Sequence, residues 1–316
     1  MVLESIVRVK FLQRHPSTMF FVAFLVSTAS MWLSYFTFPE ESSMLSLAFV
    51  TIALVPIMHK LFVEIEREEI VSLEPIGFFQ RHFYVILIYA FFFLGIIASY
   101  AFWFSFMPDE MNAKLFAAQN SELSKIGELK ENITTTGRIV TTAESCTTFK
   151  CIFKLIFYNN LSVLFWAFLF SFIYGAGAIF LIGWNASILG TFIGQELSAL
   201  GIVAKKAPHL VGKVIATPLG FLPHGIPEAI GYFVGAIAGA IISVAIAQNK
   251  YGTYEFEVIT RDALVLLFFA VLSLFIGAVI EAYLLIGQEF KATIISVAYI
   301  FLLAGLVIVF RRKTRT

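Results

Sequence analysis

Apolar runs close to the length of a bilayer crossing recur along the chain, set apart by short polar punctuation, and this alternation predicts helices that span lipid. About 20 apolar residues at about 1.5 Å rise each cross a hydrocarbon layer of about 30 Å. Runs of that kind cover Thr18–Phe38, Met44–Phe62, Phe83–Phe106, Leu161–Ile182, Ala263–Leu285 and Ala292–Phe310. The first two, joined by the acidic turn Pro39-Glu-Glu-Ser-Ser43, read as a hairpin. Before them, residues 1–16 set Arg8, Lys10 and Arg14 among Val, Leu, Ile and Phe, the pattern of an amphipathic helix on a membrane surface, and Pro16 ends it. After them, residues 64–82 carry dense charge and read as a helix reaching into water.

Two stretches are less regular. Ala186–Val203 follows the fourth run after only Gly183-Trp184-Asn185, and it repeats Ala186, Gly190, Gly194 and Ser198 at every fourth position. Small residues at that spacing share one helical face and let another backbone approach. The segment His209–Ala247 opens with a Gly/Pro-broken part, passes through Leu222-Pro-His-Gly-Ile-Pro-Glu228, and continues apolar. Proline suits the first helical turn, where its missing N–H has no intrahelical partner. The helix is therefore expected to begin at Pro227, with Glu228 beside its positive dipole end, His224 in the entering turn, and Gly231, Gly235 and Gly239 as a second close-packing ladder. The expected fold class is all-α: a polytopic transmembrane bundle of seven spans, or eight if Ala186–Val203 crosses, with a broken or re-entrant segment before the LPHGIPE helix. Broken helices are tolerated in lipid only where protein covers them.

Composition agrees with the pattern: 59% hydrophobic residues, 14% charged and 36 Phe exclude an ordinary soluble domain. A net charge of +1, with basic residues scattered among loops and tails, offers no field for nucleic acid. The one sizeable polar segment, 108–160, is too small for a catalytic domain with its own core. It holds a glycosylation-type triplet, Asn132-Ile-Thr134, and ends in FKCIFKLIFYNN, which reads as a helix half sunk in the interface. Both cysteines, Cys146 and Cys151, fall in it; they form a local disulfide if the segment faces an oxidising side, and are otherwise two thiols. Domain organisation divides at residue 82: 1–82 give the amphipathic helix, hairpin and charged connection, and 83–316 the remaining spans with loop 108–160. Basic residues near the N-terminus place it in the cytoplasm and the loop outside the cell membrane, while the basic tail RRKTRT joins the cytoplasmic side with eight spans and ends outside with seven.

The order of marks along 83–310 resembles the stage II sporulation protein M family: Asn159-Asn160 before a span, Gly175-Ala-Gly177, Asn185 followed by Gly190, His224-Gly225 with Glu228, then Ile280-Glu281-Ala282. The hairpin 18–62 is extra to the compact family core, and Pro227 stands where many members have another residue. The resemblance implies a multispan membrane protein with an external loop after its first core span. In spore formers the namesake is implicated in gathering cell-wall hydrolases into a membrane complex, a role that the resemblance does not transfer.

Asn185, His224, Glu228 and Glu281 form the candidate buried polar cluster, because ionisable groups inside apolar spans need something to offset their lipid penalty. Three roles fit. A hydrogen-bonded clasp fixes helix register in a scaffold or assembly protein; a polar cavity serves a proton- or ion-coupled transporter or channel; a divalent metal held by His and carboxylates serves an intramembrane hydrolase. The first is the leading expectation, without enzymatic activity, catalytic residues or cofactor. Expected partners are the lipid bilayer, other membrane or extracytoplasmic proteins and a second copy of the chain. No HExxH motif is present, and the identity of any metal is left open.

Overall fold

A computed structural model describes residues 9–71, 75–125, 139–140, 145–146, 148–171, 176–206, 212, 215 and 218–313. The helices are α1 (Val9–Arg14), α2 (Thr18–Thr37), α3 (Ser42–Val71), α4 (Pro75–Phe106), α5 (Asp109–Leu115), α6 (Phe149–Ser171), α7 (Ala176–Lys206), α8 (Leu222–Ala247), α9 (Tyr254–Leu285) and α10 (Glu289–Lys313). A minimal antiparallel pair, Ile139–Val140 with Ser145–Cys146, lies between α5 and α6. Among the described residues, seven helices are long and apolar enough to cross a membrane: α2, α6, α8 and α9 entire, and the stretches Pro39–Val63, Phe83–Phe106 and Ala178–Leu200. α10 is an eighth long helix and contains the run expected as the last span. The protein is an all-helical polytopic bundle.

Three sequence expectations need correction. Gly183-Trp184-Asn185 does not separate two helices: it sits inside α7, which begins at Ala176. Asn185 does not interrupt α7 because its amide donates to the Leu181 carbonyl four residues back at 2.8 Å, satisfying the polar group within the helix itself. The fourth span starts earlier as well: FKCIFKLIFYNN is the first half of α6, not a separate interfacial helix, and the loop ends before Phe149 instead of at Asn160. At about 1.5 Å per residue, these 23 residues reach about 35 Å, a full crossing by themselves.

The third correction concerns α8, which begins at Leu222 and not at Pro227. Pro223 takes the first-turn position, and Pro227 comes four residues later inside the helix. The carbonyl that Pro227 leaves without a donor is therefore Pro223's, still in the first turn, where the disruption is small. Glu228 consequently lies well inside α8 and not at its dipole end. The broken segment expected before α8 falls largely on 207–217, most of which lie outside the described residues, as do Asn132 and the Gly175-Ala-Gly177 element apart from the backbone of its last two residues.

α8 is the centre of the bundle, with every residue from Gly231 to Ile241 buried. It packs mainly on α9 and α6, while α4 packs on α7 and α2, and α3 closes on α2 and α7. Phe21, Phe36, Phe106, Phe268 and Phe301 point outward, as a lipid-facing surface requires. Lys114 of α5 pairs with Glu40 in the α2–α3 turn at 2.5 Å, so the loop that follows α4 and the first hairpin turn share one face of the bundle.

Candidate functional site

Glycine decides how closely the core helices meet. A methyl group placed on Gly190 would stand 2.8 Å from the Ile97 carbonyl oxygen, and one on Gly194 2.7 Å from Phe104 Cβ, so this ladder seats α7 against α4. The ladder on α8 is shared between two neighbours. Gly231 faces Leu274 of α9 at 2.7 Å, Gly235 meets Leu164 of α6, and Gly239 faces the Phe168 carbonyl oxygen of α6 at 2.6 Å. Gly277 of α9 belongs with them: its added methyl would lie 2.8 Å from Glu228 Cγ and 3.3 Å from the His224 carbonyl oxygen. α8 and α9 thus touch backbone to side chain where the acidic residue sits.

At that crossing Glu228 Oε1 accepts from Asn160 Nδ2 of α6 at 2.7 Å. The other end of the same amide, Asn160 Oδ1, accepts from the Tyr232 hydroxyl at 3.1 Å, one turn beyond Glu228 on α8. Glu281 of α9 acts electrostatically on both Glu228 and Tyr232, which brings the two carboxyl groups and the phenol into one locality. One turn deeper, Ser273 of α9 donates to the Pro227 carbonyl at 2.7 Å and shares a 2.6 Å hydrogen bond with the Tyr299 hydroxyl of α10. Four helices are therefore joined by short polar contacts around the start of α8.

The other sequence candidates are placed differently. Asn185 is held by its own helix, as above, and the amide that meets Glu228 is Asn160's. The His224 ring lies 5.7 Å from the Phe221 ring, which is itself 4.9 Å from Phe192 of α7. Among the described residues no group of three or more His, Cys, Asp or Glu converges as metal ligands would, so His224, Glu228 and Glu281 do not assemble such a set. Cys151, at the start of α6, is disulfide-bonded; the side chain of Cys146 lies outside the described residues.

Asn160, Tyr232, Gly277, Ser273 and Tyr299 were not among the expected site residues. Asn160 had a signal, since two consecutive amides inside an apolar run need partners, and Tyr232 stands one helical turn from Glu228. Gly277 had none, being a lone glycine in a Phe- and Leu-rich helix. Chemically, the seam offers two carboxyl groups, a primary amide and a phenol in an apolar setting, equipment for hydrogen bonding or for holding a proton or a small cation. No curated protein and no solved structure matches the chain. The description "Stage II sporulation protein M" is that of a family model matching residues 85–284, well over half of the length and inclusive of every residue of the seam except Tyr299. The chain belongs to the stage II sporulation protein M family.

Proposed function

We propose that this protein is a membrane-embedded scaffold or assembly protein in which the polar seam is a clasp fixing the register of α6, α8 and α9. One observation carries this reading. Glu228, Asn160 and Tyr232 form a continuous hydrogen-bonded chain that uses both ends of the Asn160 amide, at a crossing kept tight by Gly277. A group arranged to be satisfied by its neighbours holds helices together without needing a ligand.

The N-terminus is assigned to the cytoplasm and the segment after α4 to the outside. If all eight long helices cross, the cytoplasmic face gathers Arg14, Lys60, Arg67, Arg81, Lys250, Arg261 and the basic tail. The oxidised state of Cys151 also fits an oxidising compartment on the loop side. Partners are then met through the loop face and the outer helix surfaces.

The test pairs two measurements on the full chain. Site-directed crosslinking from the loop face in native membranes should recover the same neighbours for Glu228→Gln as for the unchanged protein, and reconstituted liposomes should show no ion or proton flux above empty ones. Flux that disappears in Glu228→Gln overturns the scaffold reading in favour of a proton- or ion-coupled carrier. That second reading is supported by the proximity of Glu228 and Glu281 inside the bundle, an arrangement also suited to a single transported charge.

A further inference from the structure

Helix α6 has two faces of opposite character. Ile152, Asn160, Leu164, Ala167 and Ser171 are buried against the bundle. The other face is open along its length, and α6 is the least enclosed of the seven candidate spans. Among its exposed positions, Leu155, Asn159, Ser162, Trp166 and Leu169 step by four, three, four and three residues. That is the spacing of a coiled-coil seam, in which alternate steps of three and four keep one stripe facing a partner helix.

Two of the five are polar, at a depth where polar groups are out of place on a lipid-facing surface. Asn159 is ten residues from Phe149 and twelve from Ser171, about 15 Å from one end of α6 and about 18 Å from the other. Among the described residues its amide is met by Asn160 Oδ1 at 3.4 Å, a long contact for an N–H donor. Ser162, one turn on, is small enough for a second backbone to come close.

We propose that the outer face of α6 is a homodimer interface, the seam Leu155–Asn159–Ser162–Trp166–Leu169 packing against the same seam of a second copy. The occupant follows from the chemistry and the geometry. Two copies inserted in the same orientation and related by a two-fold axis along the membrane normal bring their α6 helices together in parallel, so each residue meets its own counterpart at the same depth. Asn159 then faces Asn159, and a primary amide is its own complement, donating through N–H and accepting through its carbonyl. A single asparagine on a seam whose other members are Leu, Ser and Trp also selects register and pair number, as it does on the apolar seams of soluble coiled coils. The inference does not rest on the scaffold reading, and a carrier would dimerise by the same face.

The test uses the full chain in liposomes, with energy transfer between donor- and acceptor-labelled copies followed as protein is diluted in lipid. The unchanged chain should show a monomer–dimer equilibrium. Asn159→Leu, which keeps size and removes the amide, should raise the dissociation constant about three- to thirtyfold, the range for a hydrogen bond between membrane helices. Ser162→Cys should give a covalent dimer on mild oxidation, whereas Phe268→Cys, on the exposed face of α9, should not. Thermal stability of the monomer should be unmoved by Asn159→Leu, which separates loss of pairing from loss of fold. A chain that stays monomeric at every dilution overturns the proposal. So does a dimer indifferent to Asn159→Leu, or a Ser162→Cys crosslink that in native membranes forms only to a different protein.

Discussion

Two polar networks hold this bundle together, and they are built from different chemistry. Around the start of α8, a carboxylate accepts from an amide, with a second carboxylate near by. Toward the loop face, between α3, α4, α7 and the helical stretch over 117–125, every member is neutral. Gln119 accepts from Ser43 at 2.7 Å and donates to Ser187 at 3.2 Å, while Ser46 shares a 2.8 Å bond with the Tyr100 hydroxyl. Ser43, Ser46, Gln119, Ser187 and Tyr100 are all fully or almost fully buried. Neutral groups need only complementary partners, and their state does not change with charge. A carboxylate in the same setting has to be hydrogen-bonded, protonated or matched by a cation. The neutral network thus has structure as its sufficient explanation, whereas the acidic seam retains a chemical option. The neutral one also reaches outside the matched family segment, since Ser43 and Ser46 belong to α3 and weld the N-terminal pair to the core.

The largest expected effect comes from removing the amide that completes the acidic seam. Asn160→Leu leaves Glu228 and Tyr232 without their shared partner and should lower stability by about 2–3 kcal/mol, because it strips two buried polar groups of a hydrogen bond at once. Reversible unfolding in mixed micelles measures it, and a loss no greater than that of the neutral network would mean that the two networks hold the bundle equally. Gln119→Leu is that counterpart. It removes two neutral hydrogen bonds and should cost about 1–2 kcal/mol, less than the simple sum, because the Ser187 hydroxyl keeps its 2.8 Å bond to the Trp184 carbonyl and the Ser43 hydroxyl still accepts from the Ala118 N–H at 3.0 Å.

The contrast also explains which features could be read along the chain. Helices of membrane length follow from runs of apolar residues, so the spans and the α-helical class were legible. Where one helix stopped was not, because Gly183-Trp184-Asn185 has the composition of a turn, yet it lies inside a continuous helix in which the Asn185 amide bonds back to the Leu181 carbonyl. The acidic residues stood out against Phe and Leu, but their partners did not. Asn160 reaches Glu228, and Tyr232 reaches Asn160, by the rotation of α6 and α8 about their axes, and the crossing at Gly277 depends on which face of α9 turns inward. The Ser-based network is illegible for the same reason: serine in a membrane helix ordinarily bonds to its own backbone, and several here also do so.

A finer probe of the comparison is Glu228→Gln. The amide keeps an oxygen able to accept from Asn160, so stability should change by less than about 1 kcal/mol, well below Asn160→Leu. The same unfolding assay reads it. A loss as large as that of Asn160→Leu would mean that the negative charge, and not the hydrogen bond, holds α6 to α8.

The smallest effect is expected at Lys114, on the loop face above the neutral network. The hydrogen bond and charge of Glu40 raise the Lys114 pKa above its ordinary value. A basic group whose folded pKa is raised contributes stability that is complete below its unfolded value, about 10.4, and lost as the pH climbs through the higher folded one. The contribution is therefore present at neutral pH, but both partners are exposed, and salt at 0.15 M screens charges over about 8 Å. Lys114→Ala should then match the unchanged chain at pH 7 in physiological salt, fall slightly behind it at low salt, and rejoin it in strong alkali. A clear loss at physiological salt would mean that the Lys114–Glu40 pair anchors the segment after α4, and that the neutral network beneath it does not hold that segment alone.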